Sequence, residues 1–295
     1  MLDYHLHLWP HGEQATDAIV EQLTAYCEKA TAAGVEEIAV TEHLFRFVQA
    51  DRLLGGFWAD EPDPRLAQSM AQYWKAHAHA DLDHYVECAL AAKVAGLPVV
   101  VGLEVDYYRG RMHEVGRLLA GYPFDVLLGS VHWLGTWRFD DLDDTVSMDR
   151  WTTEAVEAVW DRYTEAIEEL AASGTCDVLA HPDLVKVTGR RPAAPEELWD
   201  RIAEAAASSG MAAEVSSAGW RKPVGSAYPD LGLLERFARC AVPVTTASDA
   251  HRLAQVAERA DDLATMLRQA GIDSLQAYRG RVPRRIPLTS SVPGP

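Results

Sequence analysis

Short apolar runs alternate with longer stretches of helical spacing along the whole chain. The strand candidates are Asp3–His7, Glu37–Thr41, Pro98–Val105, Asp125–Val131, Cys176–Ala180, Ala212–Val215 and Val242–Ala247. Most are rich in Val, Ile or Leu, as strands covered on both faces should be. Between them, Ala15–Ala33 sets Ile19, Leu23, Tyr26 and Cys27 on one face and stops at Gly34, a natural helix end. Thr153–Ser173, Pro195–Ser209, Leu231–Arg239 and Arg252–Ala270 also read as helices, and three of these four stop at a glycine. Seven strands, most of them followed by a helix, predict a parallel sheet. That number of units in 295 residues fits a closed or nearly closed β/α barrel better than two separate domains. No linker and no repeat divides the chain, so one domain is expected over 1–288. The stretch 45–95 is too long for one barrel helix; it reads as a helical lid, with one helix from Pro64 to Ala95. Residues 289–295 read as a frayed tail.

Composition narrows the partners. Lys and Arg number 27 against 44 Asp and Glu, a formal charge of −17. Nucleic acid and anionic membrane surfaces need basic protein surface, so neither is an expected partner. No apolar run approaches the roughly 20 residues that span a bilayer, and MLDYHLHLWPHGE lacks the plan of a signal peptide. The four cysteines are scattered without a CxxC pair and read as thiols. A cytoplasmic protein is expected.

Candidate chemistry sits where the strands end. His5 and His7 alternate on the first strand, which turns both imidazoles to one side. The second strand finishes at Thr41-Glu42-His43, the third at Glu104, the fourth at His132, the fifth at His181, and the seventh at Asp249 and His251. A lone His is commonly a hydrogen-bonded structural residue, and HxH alone is a weak signal. Ligand types at six of seven strand ends are not independent accidents, because a barrel brings those ends to one face. Imidazoles mixed with carboxylates suit divalent zinc, iron or manganese.

The ordered set DYHLHL, TEH, GLEVDYYRG, GSVHWLG, AHPDLVK, SSAGWRKPVGSAYP and SDAH resembles the PHP (polymerase and histidinol phosphatase) family over about residues 3–288. GLEVDY and the SxGxRKPxGxxYP stretch resemble its monofunctional histidinol-phosphatase branch. The resemblance implies a distorted seven-stranded barrel and three divalent metal ions. It implies a first site of His5, His7, Glu104 and Asp249, and a second of Glu104, His132 and His181. The third would hold His43, His251 and a residue of the loop after the first strand. Related enzymes often carry a His six residues past HxH; here Glu13 stands there and His11 two before it. Either completes the site, with Glu13 preferred. The implied reaction is hydrolysis of L-histidinol phosphate by a metal-bridging hydroxide. Three divalent ions offset by Glu13, Glu104 and Asp249 leave about +3 locally, so the pocket accepts an anion despite the acidic chain. The alternatives are another small phosphate mono- or diester, or a non-catalytic metal-binding module.

Glu104, His132, Asp249 and Arg221 are the expected catalytic set. Arg221 and Lys222, past the sixth strand, are the leading phosphate-binding cations, with Lys186 and Arg190 behind them and Arg191 and Arg109 weaker. Asp106 is a candidate acceptor orienting a metal-bound imidazole, as is Asp3. Trp58, Trp74, Trp133 and Trp137 line a pocket or pack the lid. His77, His79 and His84 read as a solvated helix face.

Overall fold

The computed structural model describes residues 1–10 and 19–288. In chain order the elements are β1 (Leu2–Leu6), α1 (Ile19–Ala32), β2 (Glu37–Val40), α2 (Val48–Leu54), α3 (Pro64–His77), α4 (Leu82–Val94), β3 (Val99–Asp106), α5 (Met112–Leu119) and β4 (Val126–Ser130). They continue with α6 (Thr145–Thr153), α7 (Val156–Ala172), β5 (Val178–Leu179), α8 (Glu196–Ser209), β6 (Ala212–Ser216), α9 (Leu231–Arg239), β7 (Val244–Ala247), α10 (Ala260–Gln269), β8 (Ser274–Arg279) and β9 (Val282–Pro287). Strands β1 to β7 pair in parallel in sequence order. The ring returns on itself just past β7, where the His7 amide donates to the Ala250 carbonyl at 2.8 Å. This is the seven-stranded barrel that the strand count predicts.

Alternation along β3 shows how the strands divide the two layers. Val99, Val101, Leu103 and Val105 face the helices and join the outer core, while Val100 faces the barrel interior. Glu104 and Asp106 share the interior parity and lie fully buried at the end of the strand. A Cβ on Gly102, one alternation below Glu104, would lie 2.9 Å from side-chain carbons of Thr41 and Val126. That close approach leaves room only for glycine beneath the site.

Several predicted helices are shorter than their patterns. The single helix expected over Pro64–Ala95 is two, α3 and α4, because the Asp81 carboxylate accepts the amides of Asp83 and His84 and starts a new helix. The helix expected from Thr153 starts at Val156, after α6, which the Asp144 carboxylate caps. Of the expected Arg252–Ala270, only α10 is α-helical, with a 3-10 turn at Leu253–Gln255. Helix α5 and strands β8 and β9 were not expected.

The β8–β9 hairpin closes the end of the barrel opposite the metal-ligand candidates. Leu275, Ala277 and Tyr278 pack into the inner core with Leu2, Tyr4 and Val100. Its arginines meet acids at the strand starts: Arg279 to Glu37 at 3.0 Å, Arg281 to Asp177 at 2.9 Å, and Arg284 also to Glu37. The Gly280 amide donates to Asp125 at 2.9 Å. Gly280 and Arg281, both at positive φ, make the tight turn between the strands. Among the described residues no helix is long and apolar enough to cross a membrane.

Candidate metal centre and active site

The ends of β1, β2, β4 and β5 converge on the Glu104 carboxylate of β3. Glu104 Oε2 lies 2.7 Å from His43 Nδ1, 3.3 Å from His5 Nε2 and 3.5 Å from His7 Nε2. Its Oε1 lies 3.0 Å from His181 Nε2 and 3.4 Å from His132 Nε2. Asp249 stands 3.4 Å from His7 Nε2, and the His251 ring stacks on His7 at 4.1 Å between centroids. Eight sequence-predicted residues, His5, His7, His43, Glu104, His132, His181, Asp249 and His251, thus form one cluster. His11 and Glu13 lie outside the described residues.

The local backbone aims these groups. Asp249 adopts a left-handed conformation (φ 49°) and His181 has φ 25°, uncommon for residues with a side chain. The strain is held by the surroundings: Ser248 donates its amide and its hydroxyl to Asp3, each at 2.7 Å, and the Ala257 amide donates to Asp3 at 2.8 Å. Asp3 therefore latches the loop after β7 and does not orient an imidazole. Glu42 accepts the amides of Leu8 and Trp9, and Arg46 donates to the carbonyls of Trp9 and Pro10. These contacts hold the chain as it leaves β1.

Two further carboxylates set imidazole tautomers. Asp106 lies 2.6 Å from His132 Nδ1, the orienting contact expected for it. Glu214, on β6, lies 2.7 Å from His5 Nδ1 and also accepts the His181 amide. Each contact places a ring proton on Nδ1, so Nε2 is the atom that faces Glu104 and would bind an ion once it gives up its own proton. The sequence reading passed over Glu214; its signal was a charged residue inside the apolar run MAAEVS. Glu214→Gln keeps the shape and removes the anion, and is expected to weaken metal affinity about 10- to 100-fold. Competition with a chelator of known affinity measures this, and unchanged affinity would remove Glu214 from the metal site.

The donor chemistry fits divalent ions. His5 Nε2, His7 Nε2 and Glu104 Oε2 are buried and make no hydrogen bond among the described residues. Among the described residues, four sets of ligand atoms each lie within 4.8 Å of one another: His5 with His7 and Asp249, His5 with Glu104 and His181, His7 with His43 and His251, and His43 with Asp106 and His132. Burial opposes the charge on Glu104, but the imidazoles of His5, His43 and His132 outweigh it and hold the carboxyl well below the usual range. Burial likewise opposes the charge on Asp249, and His5, His7 and His251 override it. Anionic carboxylates among imidazole lone pairs bind zinc, iron or manganese well.

The cluster floors a cavity of about 660 Å³. Arg221 and Lys222 line it as expected, with Trp133 in the wall. Arg221 is not free, however: it donates to the carbonyls of Ser248 and Asp249, each at 2.8 Å, and pairs with Glu258 at 2.9 Å. Lys186 and Arg190 do not belong to this wall. Lys186 is fully buried between Asp183 and Asp230, 2.8 Å from each, and donates to the Ala227 carbonyl. Arg190 lies over the Trp151 ring and donates to the Trp151 carbonyl. Arg109 pairs with Glu169 and Arg191 with Asp230. Trp74 and Trp137 are buried packing residues. His77, expected to be solvated, lines the cavity beside Tyr73, Arg138 and Asp140, none of which the sequence reading singled out.

A profile of the PHP domain matches residues 3–218. A probable histidinol-phosphatase of Deinococcus radiodurans is 29% identical over 272 residues, covering 92% of this chain and 94% of that protein. Among solved structures, histidinol phosphate phosphatase from Lactococcus lactis, complexed with zinc, L-histidinol and phosphate, aligns with a TM-score of 0.62 at 20% identity. It covers 96% of this chain and 98% of that one. The putative histidinol phosphatase from Listeria monocytogenes aligns with a TM-score of 0.70 at 17% identity, covering 89% and 99%. At these identities the solved structures establish a shared fold.

Proposed function

Given that this chain belongs to the PHP-domain family, we propose that it is a cytoplasmic phosphomonoesterase that binds three divalent ions and hydrolyses L-histidinol phosphate to L-histidinol and phosphate. The observation that carries the reading is Glu104, a buried carboxylate faced by five imidazoles at the floor of a cavity edged by Arg221 and Lys222. The relative matched over nearly its whole length supports the choice of ester.

When bound, the ions supply Lewis-acid polarisation of the phosphoryl oxygens and acidify water toward neutral pH. The chain's part is placement and charge. Glu104 presents one oxygen to His132 and His181 and the other to His5, His7 and His43, so it would serve two ions. His5, His7 and Asp249 would complete the first, and His132 and His181 the second. His43 and His251 would hold the third, with His11 or Glu13. Glu214 and Asp106 keep the protons of His5 and His132 on Nδ1. Lys222 meets the phosphoryl oxygens as a point charge, and Trp133 and Phe45 exclude water from the wall.

Chelation should abolish turnover, and manganese or zinc should restore it. The restored enzyme should prefer L-histidinol phosphate over a panel of generic phosphate esters by at least about 100-fold in kcat/KM. Equal rates across the panel would remove the substrate assignment. Fewer than two ions per chain after reconstitution would remove the multinuclear centre.

Arg221 has two roles, so its loss has two signatures. Arg221→Ala is expected to reduce kcat/KM by about 2–3 kcal/mol, the scale of a charged hydrogen bond to a phosphoryl oxygen. It should also loosen the ions that Asp249 and His251 would hold, because the carbonyls of Ser248 and Asp249 lose their donor. Arg221→Lys should be intermediate, restoring charge without the planar fork. Metal content and kinetics on the same preparations separate the two effects.

A further inference from the structure

One side of the cavity is built to receive hydrogen-bond donors, not phosphate. His77 projects from the end of α3, and its Nδ1 lies 2.7 Å from the Tyr73 carbonyl. A carbonyl only accepts, so Nδ1 carries the proton and donates. Nε2 is then a lone pair, and it is buried without a hydrogen-bond partner among the described residues. Burial holds this imidazole below its ordinary range, which keeps Nε2 unprotonated near neutral pH.

Asp140, in the loop after β4, lines the same cavity and makes no hydrogen bond or ion pair among the described residues. Burial pushes its carboxyl above the ordinary range, against the attraction of His132 and Lys222 across the cavity, and Arg138 makes no ion pair with it. Arg138 lies 4.2 Å over the Tyr73 ring and commits its guanidinium to Asp141, Asp144 and the Ser69 hydroxyl. The cavity wall here therefore offers an unpaired carboxylate and an unpaired imidazole lone pair.

Flat aromatic faces stand beside His77. The Tyr73 and His77 rings lie 4.2 Å apart between centroids, Phe45 and Tyr73 5.2 Å, and Phe45 and His77 5.7 Å. Such faces favour a planar or cationic group.

We propose that Asp140 and His77 Nε2, with the rings of Phe45 and Tyr73 beside His77, form the subsite that receives the cationic, donor-bearing part of the substrate. The enzyme thereby selects phosphate monoesters of basic alcohols. This rests on the phosphomonoesterase reading above and assigns its selectivity to named residues. An ammonium has donors enough to fill both acceptors, and a ring N–H fills one of them. A neutral ester leaves them unpaired in a cavity partly closed to water, which is the arrangement that rejects a substrate most strongly.

The test uses the metal-reconstituted full chain with L-histidinol phosphate and p-nitrophenyl phosphate. Asp140→Asn, nearly isosteric, should lower the ratio of kcat/KM values, histidinol phosphate over p-nitrophenyl phosphate, about 100-fold, with metal content as in the parent. His77→Leu should lower the ratio about tenfold, and His77→Gln, which offers an acceptor near the Nε2 position, should recover most of that loss. Equal losses on both esters, or loss of metal in Asp140→Asn, would overturn the proposal and place Asp140 in the metal centre.

Should the parent turn over histidinol phosphate no faster than p-nitrophenyl phosphate, the substrate assignment fails separately. The subsite is then read from 3-aminopropyl phosphate against propyl phosphate. A preference for the amine that Asp140→Asn erases upholds the proposal. No preference in the parent overturns it.

Discussion

Glu104→Gln is expected to cost the protein most of its bound metal and at least about a thousandfold in turnover, with Glu104→Ala no better. The carboxylate is the one anion that reaches all five surrounding imidazoles, through two oxygens that divide them. Replacing one oxygen by an amide nitrogen removes the charge that would compensate two neighbouring cations, and one of them loses its oxygen ligand; Glu104→Ala removes the ligand from both. Excess substrate cannot repair this, because the missing group holds ions and not the ester. Excess metal should restore part of the ion content and little of the rate. Metal analysis beside kinetics decides the matter, and a variant with full metal and a near-normal rate would dismiss Glu104 as the bridge.

Lys186→Met should instead spare the chemistry and unfold the protein more readily, by about 3–5 kcal/mol. Lys186 is fully buried, and Asp183 and Asp230 lie 2.8 Å from its ammonium. Removing the cation leaves two carboxylates facing each other, with only Arg191, on Asp230, to compensate them. Asp183 is already pushed above its ordinary range by burial, against the attraction of Lys186. A carboxyl whose folded-state pKa exceeds its unfolded one holds its proton more tightly when folded. Stability therefore falls as pH rises, so the deficit of Lys186→Met should grow from acid toward neutral pH and shrink in the other direction. Urea midpoints at several pH values measure it. A phosphate-binding lysine would behave oppositely, raising KM while leaving the midpoint unchanged.

That contrast explains where the sequence was informative. The metal ligands are legible because strand ends converge in a barrel, so position along the chain becomes position in space for His5, Glu104 or His132. Loop cations carry no such constraint. Lys186 and Arg190 look like Lys222 in the sequence; only their partners, Asp183 and Asp230 for one and Trp151 for the other, show that they serve the framework. Glu214 escaped notice because a charge inside an apolar run signals nothing until the facing imidazole is known. His77 was read as solvated because HxH on a helix splits across faces; that argument holds for His79, yet a capped start at Asp81 ends α3 early and turns His77 into the cavity. The β8–β9 hairpin was illegible because prolines and arginines are poor strand formers, and its stability comes from acids remote in the chain.

Those remote acids bear on the order of events while the chain is made. Glu37 and Asp177 are synthesised long before Arg279, Arg281 and Arg284, the cations that neutralise them. A barrel assembling from its first strand outward thus passes through a stage with its base open, its inner core reachable by water, and its acids uncompensated. The contacts that end this stage join residues as far apart in sequence as Glu37 and Arg279, so they form late. A nascent barrel of this kind presents an acidic, partly apolar mouth on the face away from the metals, and it is there that a folding helper would find its grip.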